Sequence, residues 1–143
     1  DQKQMITPLQ IVTRMQELLG SGPKFWLKDS FYAHREGDEP PSEAGELLDA
    51  NCFCLTGAMD RALAERGIFE RIDGSAELER QIVAALYACL PQAFLSRQHR
   101  NFHPRGTIEK WNDARSVCYK DVVELIEKAK RTLESSELEK IYV

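Results

Sequence analysis

The sequence predicts a mainly α fold: a single-domain bundle of about four helices, with a small hairpin or irregular aromatic insert after helix 1. Three observations predict it. Apolar residues recur at helical spacing in four separate stretches. Glycine and proline punctuate the chain between those stretches. The chain has 143 residues, 43% of them hydrophobic, enough for one core that needs no disulfide or metal staple.

Residues 1–6 read as a tail. Thr7 suits an N-cap and Pro8 the first helical position. Ile11, Val12, Met15, Leu18 and Leu19 then form one apolar face, and Gly20, Gly22 and Pro23 stop the helix. The insert spans 24–43. It holds Phe25, Trp26, Leu27, Phe31 and Tyr32, with Lys28-Asp29-Ser30 between them. A short extended piece or hairpin is expected near Phe31–Arg35 with Glu36-Gly37-Asp38 as its turn, and Pro40-Pro41 interrupts regular structure after it. The aromatic cluster is expected to cap one end of the core rather than to line a pocket.

Leu47, Leu48 and Ala50 make a helical approach to the central helix, Asn51–Arg66. There Cys54, Leu55, Ala58, Met59, Ala62 and Leu63 share a face, and Gly67 stands at C′. Gly57 sits inside the pattern. A mid-helix glycine costs about 1 kcal/mol relative to alanine, so Gly57 implies close approach by another element. Asp73-Gly74-Ser75 reads as a turn and cap before a helix over Ala76–Leu90, which ends at Pro91. Residues 92–110 read as an irregular basic loop. A last helix runs from about Ser116 to Ser135, with Val122, Leu125, Ile126, Ala129 and Leu133 inward. Glu124–Lys128 and Glu127–Arg131 are acid-first pairs at i,i+4 that favour it.

A net charge of −4 argues against bulk binding of nucleic acid or an anionic membrane. No apolar run approaches the roughly 18–20 residues that a membrane span needs, and Asp1–Gln4 does not read as a signal peptide. Cys52, Cys54, Cys89 and Cys118 lie in or near apolar segments, so reduced thiols in a cytoplasmic setting are expected.

Two stretches together resemble a known pattern. Cys54-Leu55-Thr56-Gly57-Ala58-Met59-Asp60-Arg61-Ala62 resembles the C-L-x-G-A-x-x-R-A helix of a family of small uncharacterised bacterial and phage proteins. Trp111-Asn112-Asp113, followed by Asp121–Ile126, resembles that family's W-N-D segment and closing helix. Pro8–Leu19, Trp26 and Glu36-Gly37-Asp38 match its opening helix, early tryptophan and turn. The chain departs at Val117-Cys118, where an Arg-Thr pair is usual. The resemblance implies a domain of unknown function; it bears on architecture and supplies no activity.

Arg97–Arg105, read as RQHRNFHPR, gathers three arginines and two histidines beside Phe102. Guanidinium forks suit phosphate or carboxylate, and an aromatic neighbour can stack a base. The expected function is therefore a non-enzymatic binding protein for an anionic partner: a nucleotide, a nucleic acid or an acidic protein surface. Its ligand-binding residues would be Arg97, His99, Arg100, Phe102, His103, Arg105, Trp111 and Asp113. The bland alternative is a solvated loop whose arginines pair with nearby acids. For Trp111-Asn112-Asp113 the structural reading is an anchor and a set of backbone caps.

The other function class is a small enzyme or metal-binding protein using His99, His103, Asp113 and Cys54. Against it, Cys52-x-Cys54 is too tight for zinc, and a cysteine on an apolar helix face is usually inert. The chain has no G-x-S-x-G, H-E-x-x-H, phosphate loop or dinucleotide fingerprint, so no cofactor is expected.

Overall fold

The computed structural model describes residues 5–69, 75–98 and 103–142. Helices dominate it: α1 (Pro8–Leu19), α2 (Leu55–Ala64), α3 (Ser75–Ala88), α4 (Gln92–Leu95), α5 (Pro104–Asp113) and α6 (Tyr119–Tyr142), in that order. Helix α1 packs against α2, α3 and α6, while α5 packs against α2 and α3. No helix among the described residues is long and apolar enough to cross a membrane.

Helix α1 starts as its sequence dictates. Gln10 N–H donates to Thr7 Oγ1 and Thr7 N–H to Gln10 Oε1, a reciprocal capping box. Ile11, Val12, Met15 and Leu19 are buried. In α6, which packs against α1, Val122, Leu125, Ile126 and Ala129 are buried, with Leu133 half-buried. Helix α2 ends in a Schellman turn: Gly67 N–H donates to Ala64 O and Ile68 N–H to Leu63 O. Gly67 takes φ of +81° there, which is the reason for a glycine at C′. Ile6 and Ile68 both tuck partly onto the core.

Four stretches differ from the expectation. The reading of Asn51–Arg66 as one helix fails at its start, because Cys52–Phe53 is a strand, β2. It pairs antiparallel with β1 (Tyr32–Ala33), Tyr32 opposite Phe53 and Ala33 opposite Cys52. Leu27 N–H donates to Phe53 O on the other side. A two-residue strand has no period to read, and Phe53 supplied apolar character that a helix could equally use. The short extended piece expected near Phe31–Arg35 is present as β1, and its partner strand comes from beyond the insert. The His34–Ser42 bridge closes the loop around Glu36-Gly37-Asp38, where Glu39 N–H donates to Glu36 O and Arg35 Nη1 to Glu39 O. The approach at Leu47–Ala50 shrinks to a 3-10 turn over Leu47–Asp49. Its carbonyls are held by Arg61, whose guanidinium donates to Leu47 O and Ala50 O.

The largest departure is in 92–110. Instead of an irregular loop, α4 and α5 occupy parts of it. Pro104 stands at the first position of α5, where its missing N–H costs nothing; it is a start signal, not a break. Thr107, Ile108, Trp111 and Asn112 then form a buried stripe. Helix α6 begins at Tyr119, later than Ser116, with Glu127 and Arg131 paired at 3.2 Å and Glu124 near Lys120 rather than Lys128. The expected turn at Asp73-Gly74 lies outside the described residues.

Candidate functional site

Asn112 organises one end of the molecule. Its side chain is fully buried, and its Oδ1 accepts Trp26 Nε1–H at 2.7 Å and Leu55 N–H at 3.2 Å. Its Nδ2 donates to Leu27 O and to Asp113 Oδ1, both at 2.9 Å. Donors and acceptors are all used, so the amide has one orientation. Trp111, at 4% exposure, anchors the same turn of α5 in the core. The amide thereby joins α5, the start of α2 and the segment after Trp26.

That segment is then held in an unusual shape. Asp29 has φ of +61°, a left-handed conformation that aspartate tolerates better than most residues. Asp29 N–H donates to Asp113 Oδ1 at 2.8 Å, and Lys28 Nζ donates to Ala114 O at 2.7 Å. Two residues on, Phe31 O accepts Cys54 N–H at 3.1 Å. A Cβ on Gly57 would stand 1.8 Å from that same Phe31 oxygen. Here is the close approach that Gly57 implied. The backbone of 28–31 is thus pinned at both ends, yet the Phe31 side chain is 51% exposed.

Beside Phe31 opens a cleft of about 260 Å³ lined by Asp29, Ser30, Phe31, Cys54, Glu109 and Asp113. An adjoining groove of about 470 Å³ shares Asp29, Glu109 and Asp113 and adds Lys110. Glu109 and Asp113 face the cleft together because they are four apart on α5. Cys54 forms its floor as the N-cap of α2, where Gly57 N–H donates to Sγ at 3.3 Å. Thr56 Oγ1–H donates to Glu109 Oε1 at 3.2 Å.

Of the basic residues read from the sequence, the described Arg97, His103 and Arg105 do not line this cleft. Arg105 is turned inward at the opposite end of α5. Its Nη2 and Nη1 donate to Asp60 at 2.6 and 3.1 Å, Nη1 also to Glu79 at 2.6 Å, and Nε to Glu109 at 3.2 Å. Four of its five N–H groups are spent, so it is not an open fork for an added anion. Burial works against its charge, but the three carboxylates outweigh that and raise its pKa. Arg97 is exposed, with Nε–H given to Ala93 O. His103 is exposed, extended backbone ahead of α5, and its carbonyl accepts from Thr107. His99, Arg100 and Phe102 lie outside the described residues.

Residues 3–132 match the family model described as "Family of unknown function (DUF6197)". The chain belongs to this family. No curated protein and no solved structure matches it.

In this DUF6197 chain the stretches that carry the resemblance, Trp26, Cys54–Gly57 and Trp111–Asp113, meet around one buried amide. The enzyme reading draws on His99, His103, Asp113 and Cys54, of which His99 lies outside the described residues. His103 and Asp113 flank the ends of α5, roughly 15 Å apart along its axis at 1.5 Å per residue, beyond reach for shared proton transfer. Cys54 does share the cleft with Asp113. Burial pushes its thiol upward, and Asp113 adds to that against hydrogen bonds from Thr56 and Gly57; such a thiol is a poor nucleophile. Among the described residues, no three of His, Cys, Asp and Glu are grouped to hold a metal.

Sequence reasoning passed over Asp29, Ser30, Phe31 and Glu109. One signal was present. Once Pro104 is taken as a helix start, Arg105, Glu109 and Asp113 fall at i,i+4 spacing on a single face. Nothing local marks Phe31 as the exposed member of the aromatic cluster.

Proposed function

We propose that this protein is a non-catalytic binding protein, and that the Phe31 loop with its adjoining cleft takes a positively charged side chain of a partner protein. The observation that carries the reading is an aromatic ring left half exposed on a backbone locked from both sides. A pre-ordered loop loses little entropy on binding, and aromatic anchors of this kind dominate interface energies. The cleft suits a cation. Asp29 and Asp113 line it beside Glu109, which is already paired with Arg105, and no lysine or arginine is among the lining residues; the Phe31 ring face adds cation–π attraction.

The reading takes the chain as one domain, in which α1, α2, α3 and α6 form the bundle that supports α5 and the loop. A buried cluster with members from α1, α2, α3, α5 and α6 supports it. It also takes the setting as a reducing cytoplasm, where Cys52 and Cys54 pack as buried thiols.

The test is calorimetric titration with arginine- and lysine-bearing peptides, alongside acidic peptides and RNA. Binding of the basic peptides should weaken as salt rises. Phe31→Ala should weaken it about 10- to 30-fold, the size of a hot-spot loss, with little change in Tm. Wild-type affinity in both Phe31→Ala and Asp29→Asn overturns the proposal. A second reading keeps the anionic partner, favoured by the exposure of Arg97. It expects binding of acidic peptide or RNA that Arg97→Ala abolishes and Phe31→Ala leaves intact.

A further inference from the structure

We draw no further inference here: the strongest candidate, the cleft between Leu47, Ala64, Ile68 and Phe69 on one side and the Arg105 cluster on the other, carries nothing because nothing in the structure shows what covers it.

Discussion

Gly57 is the residue whose role can be tested by the sign of a single measurement. Alanine is favoured over glycine by about 1 kcal/mol inside a helix, so Gly57→Ala would stabilise an open site. Here the added Cβ meets a backbone carbonyl at 1.8 Å, on a strand-like segment tied to Cys54. Backbone has to move, because no flexible side-chain tip can swing away. We expect Gly57→Ala to lower stability by about 2 kcal/mol or more, read as a drop in the urea midpoint. A gain in stability would mean that the Phe31 loop does not press on α2. Asn112 makes the complementary point about polar residues. A fully buried amide is tolerated because its four hydrogen bonds leave no donor or acceptor unmet.

At the scale of elements, helix starts decide most of the outcome. Thr7 and Pro8 were readable as a start because cap, proline and apolar stripe stand together within a few residues. Pro104 carries the same start signal, but α5 comes after a polar, arginine-rich stretch and its buried stripe includes Thr107 and Asn112. Those residues look solvent-facing until their partners are known. Helix α6 has a weaker start. Cys118 stands just ahead of it, its carbonyl accepting Val122 N–H. Asp121 Oδ2 accepts Cys118 N–H at 2.9 Å, and Sγ leans on the same carboxylate at 3.3 Å. A hydroxyl would instead accept the Asp121 N–H and complete a capping box. Cys118→Thr should therefore add about 0.5–1 kcal/mol, seen as a higher urea midpoint under reducing conditions.

Across the whole molecule, two arginine-centred clusters join elements that are distant in sequence. Arg105 links α5 to Asp60 of α2 and Glu79 of α3. Replacing it leaves Asp60, Glu79 and Glu109 facing one another with their shared cation gone, and breaking a largely desolvated pair costs more than an exposed one. Arg105→Met should cost about 2–3 kcal/mol, whereas exposed Arg97→Ala should stay within about 0.5 kcal/mol. Comparable urea midpoints for the two variants would remove Arg105 from its structural role.

Arg14 forms the second cluster with Glu65, at 2.7 and 2.9 Å, and Arg61 joins the same carboxylate. The hydrogen bond from Arg14 is the main cause that holds Glu65 below its ordinary value of 4.5. A carboxylate depressed in the folded state contributes stability above its unfolded pKa and loses it as pH falls through the folded one. In urea titrations, Glu65→Gln should flatten the fall in stability below about pH 4.5 while remaining less stable than the parent at pH 7. An unchanged acid slope would detach Glu65 from that fall.

What the amino-acid order by itself determined is the helical character of the chain and the placement of α1, α3, most of α2 and the body of α6. It also marked Gly57 as a contact point and Trp111 as an anchor. Those properties are local: capping pairs, glycine stops and apolar stripes all act within a few turns. Only the tertiary structure decided what the polar residues do. The bonds from Asn112 to Trp26 and from Asp113 to Asp29 span 86 and 84 positions, and Arg105 reaches Asp60 across 45. No periodicity encodes such separations, so which charges neutralise one another inside, and which aromatic stays outside, depend on how the helices pack.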